Sequence, residues 1–427
     1  MRIAFFTHCL PSRDSHGAAE TCYSVIKFLA SQNHEIILNI VAEDKEFILS
    51  QNKSAKIDKY CKKINLYKIP KRKNLIKNFL INPINLFFPN KSLIFPSYDL
   101  ESNVLSDLEI DKPEVIFIYH WIAAAPALKS KIPKLLITGD LVHMPFETRM
   151  LHRRKLGLNS EFNFGFIIKF LGVFWLGYHL RKQMIHMLNK SDDGGSFGWH
   201  DANWLKKNGA LKSKYFKTSL VDTNPKFNIE NYNFTNKNKF KIITALSNLE
   251  STSTLSGMVF LFEEVLDKLK FQIGKKNFEI HVIGKGNLPA SLKKYENDEN
   301  IIMRGYVEDI NSEFDTADVV LIPTAVFLGF RCRILNAFAQ GACTIIHHND
   351  AINQPEIKNK INCLVGKNGE EVSNLVYEAY SDVELRKKIR IEARNLYLSN
   401  FSPEISTPVI LNKLEELVLN KNGIKNR

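Results

Sequence analysis

Residues 324–346, TAVFLGFRCRILNAFAQGACTII, decide how the chain is read. The run Val319-Val320-Leu321-Ile322 before them ends at Pro323 and has the make-up of a buried strand. Gly329, Arg331 and Arg333 then lead into Ile334-Leu335-Asn336-Ala337-Phe338-Ala339, whose helical spacing stops at the breaker Gly341. Thr344-Ile345-Ile346 makes a second apolar strand. A strand therefore delivers two arginines to the start of a helix, where free N–H groups and the positive dipole end favour an anion. Guanidinium adds forked donors matched to phosphate. The plainer alternative is an exposed helix start with two solvated arginines.

The neighbouring sequence favours the anion site. Upstream, Ile242-Ile243-Thr244-Ala245-Leu246 is a strand, and the hydroxyl-rich loop 247–257 follows it, containing Thr252 and Thr254. A helix is expected over Met258 to Lys270, then the strand Phe278 to Ile283 with Gly284-Lys285-Gly286, then Ile301 to Tyr306. Pro355-Glu356 and Gly366 precede helices at the C-terminus.

The first half opens the same way, with an apolar run at 3–6, a loop 9–17, a helix from about Ala18 to Gln32 and a strand over 35–41. Gly17-Ala18-Ala19-Glu20 would let backbone approach a ligand at a helix start, or make a plain tight turn. The strands Val115–Tyr119 and Leu135–Thr138 end at His120 and at Gly139-Asp140, with His143 close behind. Ligands collect beyond the carboxyl ends of strands in open α/β sheets. Two successive Rossmann-like halves facing one cleft are the architecture expected. The boundaries are 1–215, a link at 216–239, 240–400, and a C-terminal helix 401–427 packing back towards the first half.

Two stretches stand apart. Lys53 to Lys77 is dense in lysine and arginine, with Leu75, Ile76, Phe79 and Leu80 alongside, and the aromatic segment Asn82 to Pro89 follows. Such a stretch suits nucleic acid, a membrane surface, or a solvated face beside a core strip. Residues 149–190 set Arg149, Arg153, Arg154 and Lys155 ahead of the apolar run Phe162–Tyr178. That run suits either a buried helix pair or a segment lying in a membrane interface, and the basic flanks favour the interface. Ser191–Ser196 reads as a break.

The 44% hydrophobic and 24% charged content belongs to a soluble globular protein, and 427 residues suit two cores. A net charge of +13 implies an anionic partner. The six cysteines, 9, 22, 61, 332, 343 and 363, form no CxxC and suit a reducing compartment. The N-terminus lacks the marks of a signal peptide, and no uncharged run reaches the roughly 18 residues of a membrane span. A cytoplasmic protein on the inner face of a membrane is expected.

In the order of these parts the second half resembles the nucleotide-sugar domain of GT-B glycosyltransferases, in particular the retaining glycosyltransferase family 4. The resemblance rests on Val282–Gly286, Gly305-Tyr306-Val307, Ala317–Thr324, Gly329–Ala337 and Gly341, over about residues 240–400. Gly17–Glu20 and His120 extend it loosely into the first half. Leu328 and Asn336 stand where typical members carry two glutamates, within a subgroup bearing Gly-x-Arg-x-Arg. Asn248 and Ser256 stand where an arginine and a lysine are usual.

The resemblance implies a metal-independent, retaining transfer from a nucleotide sugar, with no resident cofactor. Arg331 and Arg333 would neutralise the leaving diphosphate, helped by Thr252, Thr254 and the Gly17 and Ala18 amides. Asn336 would hold the ribose, and His120 the sugar near its reacting carbon. Asp140 would orient the acceptor hydroxyl, and Glu356, Gly284, Tyr306 and Ile334 would complete the donor contacts. The implied partners are a nucleotide-sugar donor, a glycan or lipid-linked glycan acceptor and an anionic membrane. The alternative within the fold is a non-catalytic nucleotide-sugar or glycan binder. A nucleic-acid-binding protein has the charge but no recognisable motif, and no GxGxxG follows the first strand as a nicotinamide dehydrogenase would need.

Overall fold

Two all-parallel sheets organise the computed structural model, which describes residues 1–13, 17–53, 55–71, 82–158, 164–232, 239–245, 248–421 and 423. Strands β1 (Arg2–Thr7), β2 (Glu35–Ala42), β3 (Lys63–Lys68), β4 (Val115–Tyr119), β5 (Lys134–Thr138), β6 (Asp193–Ser196) and β7 (Ser213–Tyr215) form the first. Its order is β3-β2-β1-β4-β5-β6-β7. Strands β8 (Phe240–Ala245), β9 (Phe278–Ile283), β10 (Ile301–Gly305), β11 (Val319–Ile322), β12 (Thr344–His347) and β13 (Leu364–Gly366) form the second, ordered β10-β9-β8-β11-β12-β13. Each order reverses direction beside its first strand, between β1 and β4 and again between β8 and β11, which makes both sheets doubly wound. Their central strands are continuous apolar runs because helices cover both faces.

The chain divides into two compact units. The first comprises Met1–His143, Phe174–Val221 and Pro403–Arg427, the second Met144–Val173 and Asp222–Ser402. Residues 144–173, assigned above to the first domain, therefore group with the second. Phe5 and Phe117, with ring centroids 4.8 Å apart, anchor the first core together with Leu38, Ile137 and Phe197. Ile410 and Leu414 of the helix Pro403–Lys421 complete that core. The second core gathers Ile242, Phe262, Val282, Leu321, Ile345 and Ile389.

Three stretches differ from the sequence reading. Ser191–Ser196 is no break, because Asp193–Ser196 is the buried strand β6. A Cβ on Gly194 would lie 2.2 Å from the Leu136 carbonyl oxygen, and one on Gly195 would lie 1.8 Å from that of Lys214. Only glycine lets β6 fit between β5 and β7. The basic stretch near residue 60 contains the edge strand β3. The apolar run near residue 170 is not a helix pair. It belongs to one helix, Phe164–Lys190, with Phe164, Ile168 and Leu171 exposed and Leu180, Met184, Met187 and Leu188 buried. Among the described residues no helix is long and apolar enough to cross a membrane. Arg72–Leu80, Phe162, Asn163, Asp14–His16, Leu246 and Ser247 lie outside the described residues.

The helix Val383–Asn400 carries Arg386, Arg390 and Arg394 one turn apart, all buried. Arg386 donates to the Ala379 and Tyr380 carbonyls, ending the helix Gly369–Ser381. Arg390 donates to Ala317 (3.2 Å), at the end of the helix Ile310–Thr316, and stacks 3.6 Å over Tyr232. Arg394 donates to Ala339, the last residue of the helix Cys332–Ala339, and holds Asp222 at 2.8 and 2.6 Å. One helix thus caps the negative ends of three others.

Candidate functional site

Within the second unit, β11 delivers Pro323 and Thr324 to the point where the strand order reverses. The loop beyond them returns through Arg331 into the helix Cys332–Ala339, with Arg331 at its N-cap. That helix ends tightly at Gly341 (φ +63°), where a Cβ would lie 2.2 Å from the Phe227 ring. On the other side, Ser251 caps the helix Thr252–Phe260, its hydroxyl accepting from the Thr254 N–H at 3.4 Å. This helix starts six residues before the expected Met258, because the hydroxyl-rich loop supplies its first turns.

The two arginines behave differently. Arg333 donates from Nη1 to the Thr254 hydroxyl (3.1 Å) and from Nη2 to that of Thr324 (3.2 Å). Burial, with Arg331 adding to it, pushes its guanidinium down to about 10. Arg331 folds back on its own loop, donating to the Leu328 and Phe330 carbonyls, and its Nε lies 3.7 Å from Asp350 Oδ1. Thr254, Gly257, Pro323, Thr324 and Arg333 line a small cavity of about 10 Å³, room for about one water. Asp350, which the sequence reading missed, is the buried carboxylate beside both arginines. Burial pushes it up to about 6 against the opposing pull of Arg331, Arg333 and Thr324. Its one sequence signal is an acid placed just after strand β12.

The loops after β8 and β9 form a second wall. Leu249 N–H donates to the Lys285 carbonyl (2.7 Å), and the Asn248 side chain accepts from Glu250 N–H (2.9 Å). Gly284 N–H bonds the Gly305 carbonyl at 2.8 Å, and the exposed ring of Tyr306 carries Lys285 Nζ at 4.1 Å. Thr252 begins its helix with a partly exposed side chain. Ser256 is buried, its hydroxyl donating to the Ser253 carbonyl. Asn336 and Glu356 are partly exposed. Ile334 is fully buried and its N–H is taken by the Arg331 carbonyl, so it packs the core.

The first unit's corresponding end is lined with rings. Phe6 pairs with Ile118, so the register sets His8 opposite His120 just beyond β1 and β4. The two imidazoles stack with centroids 4.0 Å apart and planes 26° from parallel. His120 has a strained backbone (φ +82°), and its Nδ1 accepts from the Ile122 N–H at 3.3 Å. That bond leaves Nε2 to carry the proton of the neutral ring. Trp121 Nε1 donates to the Asp140 carbonyl at 2.9 Å, tying the loop after β4 to the loop after β5. His143 is buried against Trp204, and burial, with Arg181 adding to it, pushes it down to about 4. Gly17 and Ala18 open the helix Gly17–Ser31, both partly exposed. The strand-end rule reaches His8 as it reaches His120, once the register is known.

Among the described residues no three His, Cys, Asp or Glu side chains are grouped to hold a metal ion. Residues 241–382, which include β9 to β13, all but the first residue of β8 and both arginines, match the family described as Glycosyl transferases group 1. The chain carries a glycosyltransferase domain. It is an enzyme of glycosyl transfer, and its fold is that of the GT-B glycosyltransferases. A glycosyltransferase from Rickettsia africae is similar at 16% identity over 98% of this chain and 99% of that one (TM-score 0.62). Sucrose-phosphate synthase from Thermosynechococcus elongatus is 11% identical over 98% and 99% (TM-score 0.67). Anabaena HepE, solved in complex with UDP and glucose, is 12% identical over 97% and 100% (TM-score 0.60). No curated protein matches the sequence.

Proposed function

We propose that this glycosyltransferase is a retaining, metal-independent family 4 enzyme that moves a sugar from a nucleotide donor to a lipid-linked or surface-polysaccharide acceptor. The observation that carries the donor half is the convergence of Arg331, Arg333, Thr254 and Thr324 where the second sheet reverses its strand order. As the sugar C1–O bond breaks, charge grows on the departing diphosphate. Arg333, held by the two hydroxyls, and the helix N-terminus would meet that charge, and Arg331 would join them by exchanging its own loop's carbonyls for phosphate oxygens. Asn336, on the next turn of the same helix, offers an amide to the ribose, and Tyr306 and Glu356 flank the donor. In the first unit, His120 offers its Nε2–H to a sugar hydroxyl and Asp140 orients the acceptor.

The acceptor's class is supported by exposed apolar side chains beside basic ones. Ile84, Phe87 (71% exposed) and Phe88 (79% exposed) lie on the first unit's surface, near Lys91. Such a patch suits the headgroup level of an anionic bilayer, peripheral on the inner face.

A thermal-shift panel of UDP-, GDP-, ADP- and dTDP-sugars tests the donor. UDP-glucose leads it, since the Anabaena neighbour holds UDP and glucose. One of these should raise the melting temperature and be turned over. Arg331→Ala should lose that turnover, and full activity in the variant sinks the assignment.

A further inference from the structure

Asp350 lies in the short helix His348–Ala351, just after β12, with its side chain only 2% exposed. Its Oδ2 accepts from the Thr324 N–H at 3.1 Å, and its Oδ1 lies 3.7 Å from Arg331 Nε. Thr324 in turn accepts through its hydroxyl from Arg333 Nη2. One carboxylate therefore orders both guanidiniums, Arg331 directly and Arg333 through Thr324.

With nothing bound, this arrangement is a buried ion pair whose negative charge is satisfied by the arginines. A donor diphosphate brings two further negative charges to the same guanidiniums. In a site screened from water, carboxylate and phosphate cannot both be close to the arginines without strong repulsion. A proton on the carboxylate removes that repulsion and leaves Asp350 able to accept from the Thr324 N–H. Resting on the reading that Arg331 and Arg333 hold the donor diphosphate, we propose that Asp350 is the site's resident counter-ion. It positions both arginines in the empty enzyme and takes up a proton when the diphosphate binds.

The groups facing Asp350 leave the proton no other destination among them. Arg333, although burial pushes it down to about 10, stays charged in the neutral range. Burial keeps the Cys363 thiol, ahead of β13, protonated, and Thr324 does not titrate. Burial has already brought Asp350 to about 6, so a nearby dianion carries it through neutrality.

Isothermal titration calorimetry with UDP-glucose tests this, because a diphosphate diester has no titrating group of its own near neutral pH. GDP-, ADP- and dTDP-glucose follow if UDP-glucose does not bind. Heats measured near pH 7 in PIPES and in Bis-Tris should differ as expected for uptake of up to about one proton per donor bound. That uptake should vanish in Asp350→Asn while binding persists. Binding without uptake in the wild type, or with the same uptake in Asp350→Asn, overturns the proposal. If Asp350→Asn does not fold, the wild type decides alone. Uptake must then fade below about pH 5, where Asp350 is already protonated, and a pH-independent value overturns the proposal. If none of the four donors binds, the donor reading itself fails and the inference falls with it.

Discussion

The two sheets reverse their strand order at equivalent places, yet the two places are furnished with opposite chemistry. Beyond β1 and β4 lie two stacked imidazoles with Tyr119 alongside. Beyond β8 and β11 lie Arg333, two threonine hydroxyls and, through Thr324, Asp350. Stacked rings offer flat faces and single N–H donors, which suit the hydroxyls and C–H faces of a sugar. Forked cations offer charge, which suits phosphate. One backbone frame used twice carries two different sets of side chains at its strand ends, so the fold alone assigns a ligand to neither.

The largest test of that contrast is Arg333→Ala. Removing a preorganised charge donor should lower kcat/KM by about 10²–10³-fold and weaken donor binding. Steady-state kinetics and calorimetry read both effects, and a variant with unchanged donor affinity would dissolve the distinction between the two ends.

Next in size is a trait the two ends share. His143 in the first unit and His347 in the second are both held near 4, chiefly by burial. The unfolded chain binds protons at these positions below about pH 6.5, whereas the folded protein does not until about pH 4. Stability is therefore complete above pH 6.5 and falls as the pH drops towards 4, by up to about 3 kcal/mol for each group. Urea unfolding at pH 7 and pH 4.5 should show the loss, and His143→Phe should remove one share of it.

A smaller effect belongs to the ring end. A stacked ring pair is worth about 1 kcal/mol, so His8→Ala should lower kcat about five- to ten-fold with donor affinity unchanged. His8→Phe, which keeps a ring over His120, should recover most of the rate. No recovery would mean that His8 acts through its nitrogens instead. The smallest effect lies outside both ends. Phe87→Ser should weaken sedimentation with anionic vesicles about three-fold and leave turnover of a soluble acceptor unchanged.

What the sequence made legible follows from how each element is stabilised. Strands β1, β4, β8, β11 and β12 are built round short runs of buried apolar residues, and that composition announces them. β3 lies at an edge and keeps lysines at both ends, so it reads as surface. β6 is Asp-Gly-Gly-Ser and carries no apolar signal, because its place depends on the absence of side chains rather than on their burial. The same division runs through the site. Arg331, Arg333 and His120 stand beside strands the sequence announces. Asp350 and His8 matter because of what folding sets next to them, a carboxylate 3.7 Å from Arg331 and a ring 4.0 Å from His120, and no local pattern encodes either pairing.

Composition alone would present every lysine and arginine to the outside world. Arg386, Arg390 and Arg394 instead face inward onto helix carbonyls, so the cationic character a polyanion can feel is weaker than the amino-acid count implies. Retention on a cation exchanger should accordingly fall short of that of an equally basic protein whose arginines are all superficial, and lysine, lacking the planar fork, could not stand in at these three places.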